Sequence, residues 1–164
     1  MADRPSFFRA LYEEYAADVY RFALWLGADR RDAEDITSET FVRALASNTP
    51  IRTTTARAYL FTIARRLYAE MRRRDQRRVP LAESLRDTRA LPDAGVEDAS
   101  EMAATMAALA VLSEEERVAL VMRAVHDMPY EEIARALGIS VVAAKVRVHR
   151  ARKRLAGIPP HSTP

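Results

Sequence analysis

The chain contains no cysteine, which excludes disulfides, thiolate metal sites and a cysteine nucleophile. Its three histidines, His126, His149 and His161, are too scattered to form a ligand cluster, so no metal is expected. There is no glycine-rich phosphate loop and no nucleophile-base pair, and neither a cofactor nor an enzymatic activity is expected. A membrane-spanning helix needs about eighteen consecutive apolar residues, and the sequence has no such run. The start, Met1-Ala2-Asp3-Arg4-Pro5, lacks the apolar stretch of a secretory signal. No membrane insertion is expected, and the protein is expected to stay in the cytoplasm. Only four glycines occur in 164 residues, against abundant Ala, Leu, Arg and Glu, a composition that favours helix throughout.

What is present is a soluble composition, 49% hydrophobic and 30% charged, long enough for one domain or two small ones. The net charge is only +3, but the charge is segregated along the chain. Arg57 to Arg78 carries eight arginines against Glu70 and Asp75, a local +6. Val79 to Glu116 carries nine acids against two arginines, a local −7. Lys145 to Arg154 then holds six basic residues and no acid.

The last of these segments follows a recognisable grammar. Pro129 can open a helix because a first turn leaves its N–H positions unpaired, and Glu131 and Glu132 suit the positive helix end. Ile133, Ala134 and Leu137 recur at helical spacing, Gly138 supplies a left-handed stop, and Ser140 caps the next helix. This is a helix-turn-helix. In its second helix Ala144, Val148, Ala151 and Leu155 form an inward stripe. The opposite face centres on Val142, Val146, His149 and Lys153, with Lys145 and Arg150 beside them and Arg147, Arg152 and Arg154 nearer the edges. Such a face is suited to the major groove of a duplex.

The first half reads as three helices. Phe7, Leu11, Tyr15, Val19, Phe22 and Leu26 mark a long amphipathic helix capped by Ser6 and ended at Gly27. A second begins near Asp32 with Ala33, Ile36, Thr40, Phe41, Ala44 and Leu45 inward. After a loop over Ser47 to Thr55, a third runs from about Ala56 to Arg74, with Leu60, Ile63, Ala64, Leu67 and Met71 as its core stripe. The neighbouring stripe, Phe61, Arg65, Tyr68 and Arg72, interleaves rings and cations as a single-stranded nucleic acid binder requires. The alternative, which the spacing alone slightly favours, is that Phe61 and Tyr68 merely widen the core face. Pro80, Pro92 and Gly95 break any period from Val79 to about Val96, which reads as a flexible linker. Beyond it, Glu97 to Leu112 is a helix, and Ser113 to Glu116 is a capping box opening another to about His126, with Val118, Val121, Met122 and Val125 inward.

These residues carry a resemblance. Leu112 to Arg117, Tyr130-Glu131-Glu132-Ile133-Ala134 and Lys145 to Arg152 resemble region four of bacterial sigma factors of the extracytoplasmic-function group. Asp32 to Ala44 and Ala58 to Leu67 resemble that group's region two, and the two matches stand in the family's order. The resemblance implies an all-α protein of two small helical domains: a region-two bundle over residues 1–78, a linker over 79–96, a region-four helix-turn-helix domain over 97–156, and a tail over 157–164. It implies a subunit of RNA polymerase that directs promoter recognition, DNA melting and transcription initiation, with core RNA polymerase, promoter DNA and an anti-sigma factor as partners.

Carried onto this chain, the grip on polymerase falls to Asp35, Ser38 and Glu39, where Ser38 stands at a position usually held by glutamine. The minus-10 element, read as single strand, falls to the loop with Asn48 and to the outer side of the third helix. The residues concerned are Tyr59, Phe61, Arg65, Arg66, Tyr68 and Arg72, with Tyr59 in place of a common tryptophan and Arg66 in place of a common asparagine. The minus-35 duplex falls to Val142, Lys145, Val146, Arg147, His149, Arg150, Arg152, Lys153 and Arg154. Valine at 146, where serine is frequent, offers a methyl-bearing surface suited to a thymine methyl, and Val142 does the same. A dimeric helix-turn-helix repressor is the reading from another class. It requires a dimerisation or effector domain in the first half, for which the acidic second helix and aromatic-basic third helix are poor material.

Overall fold

The computed structural model describes residues 3–78 and 96–157, and every regular element among them is helical. The expected linker, apart from Val96, and the tail beyond Gly157 lie outside the described residues. The helices gather into two compact units.

The first unit is built on α1 (Arg4–Leu26) up to Leu24, α2 (Arg30–Ala46) and α3 (Ala56–Arg77), the last preceded by one 3₁₀ turn over Thr53–Thr55. The first helix starts two residues before the expected Ser6 cap, because Phe7 N–H already donates to Asp3 C=O at 2.9 Å. Pro5 is tolerated there since first-turn amides have no intrahelical acceptor. The second also starts earlier than its inward pattern suggests: Asp29 caps it, its carboxylate accepting the Asp32 N–H at 2.8 Å.

Ala33, Ile36 and Ala44 of α2 and Leu60, Phe61, Ala64 and Leu67 of α3 are buried, and the alanines let two backbones approach closely. Two threonines join that core. The Thr37 and Thr40 hydroxyls donate to the carbonyls of Ala33 and Ile36 at 2.7 and 2.6 Å, so neither arrives unsatisfied. Phe22 of α1 and Phe61 of α3 stack with ring centres 4.4 Å apart and planes 9° from parallel, while Tyr12 meets Phe41 edge-on at 4.9 Å. Leu45, expected inward, is 48% exposed, because it sits in the last turn of α2, where only Ala44 still faces the core.

The second unit holds α4 (Val96–Ala110), α5 (Glu114–Ala124), α6 (Tyr130–Leu137) and α7 (Val141–Ala156). Ser113 caps α5, its Oγ accepting the Glu116 N–H at 3.2 Å. The capping residue's usual partner is turned elsewhere: the Glu116 carboxylate lies 3.5 Å from Arg154 Nε of α7. The fifth helix ends before His126, so Val125 falls at its C-cap and is exposed rather than inward. Asp127, at φ +50°, then reverses the chain.

Pro129 stands one position outside α6 rather than within it, extended at ψ 149°, with its carbonyl accepting from Glu132 and Ile133. The turn between the last two helices is as the sequence indicates. Gly138 has φ +65°, its N–H and that of Ile139 both reach Ala134 C=O, and Ser140 Oγ accepts the Ala143 N–H at 3.0 Å. Ala144, Val148 and Ala151 are fully buried where α7 packs on α5 and α6.

Candidate nucleic-acid and protein interfaces

Burying Ala144, Val148 and Ala151 fixes the rotation of α7, and the rest of its surface follows from the 3.6-residue period. Val142 is 70% and Val146 38% exposed, which is unusual for valine and leaves two branched apolar side chains on the outer face. Lys145, His149, Arg150, Arg152 and Lys153 are exposed with them. Two of the three cations nearer the edges are already engaged. Arg147, half-buried, places Nη2 3.7 Å from the Glu115 carboxylate, and Arg154 reaches Glu116. Both acids belong to the first turn of α5, so that helix start also braces α7. The sequence places nine candidate residues on this face without indicating which of its arginines are paired within the fold.

Lys145 has a neighbour that spacing could not reveal. Its Nζ lies 5.8 Å from the centre of the Tyr130 ring, and the Arg123 guanidinium lies 5.0 Å from the same centre. Arg123 in turn donates to Met128 C=O at 3.1 Å and lies 3.7 Å from Asp127.

In the first unit Asp35, Ser38 and Glu39 are all exposed and line one side of an open groove of about 470 Å³ between α2 and α3. Glu70, Met71 and Arg74 come from the opposite helix. Arg43 spans it, with Nε 3.2 Å from Glu39 and Nη2 3.4 Å from Glu70. Hydrogen bonds to Glu70 and then Glu39 raise its pKa above the ordinary arginine value, so it stays charged. The Glu39 to Arg43 step is a helical i to i+4 pair and readable in sequence. The share of Glu70, 27 residues away, is not.

The third helix requires a correction. Phe61 is fully buried and Tyr68 only 3% exposed, so neither ring is available to stack on an unpaired base. On a wheel of about 100° per residue, the large buried side chains at 60, 61, 67 and 68, with Ala64 among them, span about 120°, the ordinary width of a core-facing stripe, and Ala56 and Ala58 are buried in the first turn as well. The rings therefore widen the core. Arg72, exposed, and Arg65, half-buried, both lie just past the Phe61 edge, while Tyr59 and Arg66 lie on the far side of the helix, half-buried and exposed respectively. Asn48 is exposed beside a pocket of about 220 Å³ whose other walls include Phe7, Phe8, Pro50 and Ile51. The first turn of α1 is brought there by Arg4, which donates to Leu45 C=O at 3.1 Å, a contact across 41 residues.

Among the described residues no helix is long and apolar enough to cross a membrane, and no group of His, Asp and Glu could hold a metal ion.

Comparison with known proteins bears on both units. Residues 11–78 match the family described as Sigma-70 region 2, and residues 102–155 the family described as Sigma-70, region 4. The chain is 34% identical over 160 residues to the ECF RNA polymerase sigma factor SigL of Mycobacterium tuberculosis, covering 94% of this chain and 89% of that protein. It is 33% identical over 156 residues to the ECF RNA polymerase sigma factor SigE of Mycolicibacterium smegmatis, covering 88% of this chain but 58% of that longer protein. Among solved structures, the sigma factor RpoE in complex with the anti-sigma factor NepR from Bartonella quintana is similar at a TM-score of 0.69 and 25% identity, over 90% of this chain and 93% of that one. The extracytoplasmic function sigma factor SigJ of Mycobacterium tuberculosis is similar at 0.58 and 28%, over 88% of this chain and 52% of that one.

Proposed function

The chain belongs to the extracytoplasmic-function sigma factors of the sigma-70 family, and from that premise we infer how its surfaces divide the work of promoter recognition. It binds core RNA polymerase through the groove between α2 and α3, with Asp35, Ser38 and Glu39 as contacts. Exposed carboxylates beside apolar Val42, Leu67 and Met71 suit a partner helix that is basic and apolar.

The minus-10 strand lies against the loop with Asn48 and the outer side of α3, where Tyr59 and Arg66 supply a ring and a cation and Arg65 and Arg72 supply charge. The minus-35 duplex is read by α7. Lys145, Val146, His149 and Arg150 meet base edges, Val142 and Val146 favour thymine methyls, and Arg152 and Lys153 hold phosphates. Arg147 and Arg154 serve the duplex less, since they are braced by Glu115 and Glu116. The protein acts in the cytoplasm, where core polymerase is, and the RpoE complex with NepR supports an anti-sigma factor as its regulator.

One observation carries this reading. A single chain combines an open groove between α2 and α3, edged by exposed Asp35, Ser38 and Glu39, with a helix-turn-helix whose second helix leaves two valines and a row of cations exposed. Run-off transcription with core RNA polymerase and genomic promoter fragments, including the promoter of the protein's own gene, tests it. Co-purification with core enzyme and specific transcripts are expected. A chain that binds duplex DNA but neither co-purifies with polymerase nor starts transcripts is instead a repressor.

A further inference from the structure

The helix-turn-helix holds an aromatic ring at the start of its first helix. Tyr130 opens α6 and is half-buried, and two cations from different helices converge on its ring. Arg123, near the end of α5, is itself fixed by the carbonyl of fully buried Met128 and by Asp127. Lys145, in the second turn of α7, is exposed and keeps its ammonium 5.8 Å from the ring centre, within the range in which a ring quadrupole attracts a cation. Lysine has four rotatable bonds and, left in water, spreads over many rotamers, each of which must be frozen when it meets a base.

We propose that Tyr130 is a positioning residue for promoter specificity: braced by Arg123, its ring holds the Lys145 side chain at the α6 side of the recognition helix before DNA arrives. This rests on the assignment of Lys145 to the minus-35 bases. The ring contributes through preorganisation rather than by touching the base, because part of the ordering cost of Lys145 is met in the free protein. An exposed cation-π contact sustains about a two- to five-fold effect on discrimination. The hydroxyl has no part in it, so phenylalanine should serve as well as tyrosine.

The experiment uses the full chain in holoenzyme with core RNA polymerase, selecting from a promoter library randomised over the minus-35 element, with thermal melts of each variant alongside. Tyr130→Phe should leave both the selected sequence and the melting temperature unchanged. Tyr130→Leu keeps apolar bulk but removes the quadrupole. It should relax preference about two- to five-fold at the one or two positions that Lys145→Ala also relaxes, and at no others. In a Lys145→Ala background, Tyr130→Leu should add nothing. If Lys145→Ala leaves preference intact, the base-reading assignment fails and the proposal with it. If Lys145→Ala relaxes preference and Tyr130→Leu relaxes it further by its full amount, the coupling alone is overturned. A Tyr130→Phe variant as impaired as Tyr130→Leu also overturns it, since the hydroxyl is then the working group.

Discussion

Phe61 separates packing from DNA contact. Its ring is fully buried and stacked on Phe22 at 4.4 Å and 9°, so any substitution should be felt first by the folded chain. Truncation to alanine at such a site costs about 3–5 kcal/mol, a large part of the roughly 5–15 kcal/mol that a domain has. The more informative change is Phe61→Leu, which keeps most of the apolar bulk. It loses the ring pair, worth about 0.5–1.5 kcal/mol, and adds a misfit of up to about 1.5 kcal/mol. A total of about 0.5–3 kcal/mol corresponds to a melting temperature lower by roughly 2–24 °C for a unit of this size. The assay pairs circular-dichroism melts of the full chain with open-complex formation measured well below the transition. The melt should fall and promoter opening per folded molecule should hold. An unchanged melt with open complexes weakened by about 1–3 kcal/mol, the value of one stacked base, would refute the burial argument.

On the α2 groove, Asp35→Arg with Glu39→Arg should abolish the pull-down of core polymerase while the helical signal persists, since both side chains are exposed; retained pull-down by the folded variant sinks the assignment. On α7, Arg152→Ala should lower affinity for all promoters alike and reduce the log-log salt slope by roughly 0.9, and Arg154→Ala should do so less because of its Glu116 pairing. Val146→Ser should instead change which base is tolerated at one minus-35 position, at less than the about 1–3 kcal/mol of a good bidentate contact; equal scaling of all sequences would mean that Val146 does not face the bases. Gly138→Ala meets no atom within 4 Å of its new Cβ, so only the left-handed backbone resists it. A loss of about 1–2 kcal/mol is expected in urea unfolding, and no loss would place the chain in another conformation there.

The sequence by itself determined the local features: all-helical architecture, the caps Ser113 and Ser140, the left-handed stop at Gly138, and the rotation of α7 that turns Val142 and Val146 outward. Each depends on a spacing of three or four residues, or on one residue's own φ preference, and needs no distant partner. It also carried enough of the family's motifs, at Asp32 to Ala44 and Lys145 to Arg152, to indicate both units in their order. What it left open at Phe61 and Tyr68 was a choice between two faces adjacent on one helix. A wheel cannot make that choice, because the width of an apolar stripe depends on what is packed against it. At Phe61 the arrival of Phe22 from α1 decided it, and Tyr68 is buried in the same unit. The same holds for Glu70 in the groove between α2 and α3, for Glu115 and Glu116 behind α7, and for Tyr130 beneath Lys145. These are contacts between charges and rings on different helices, set by how the helices cross, and no period along the chain encodes a crossing.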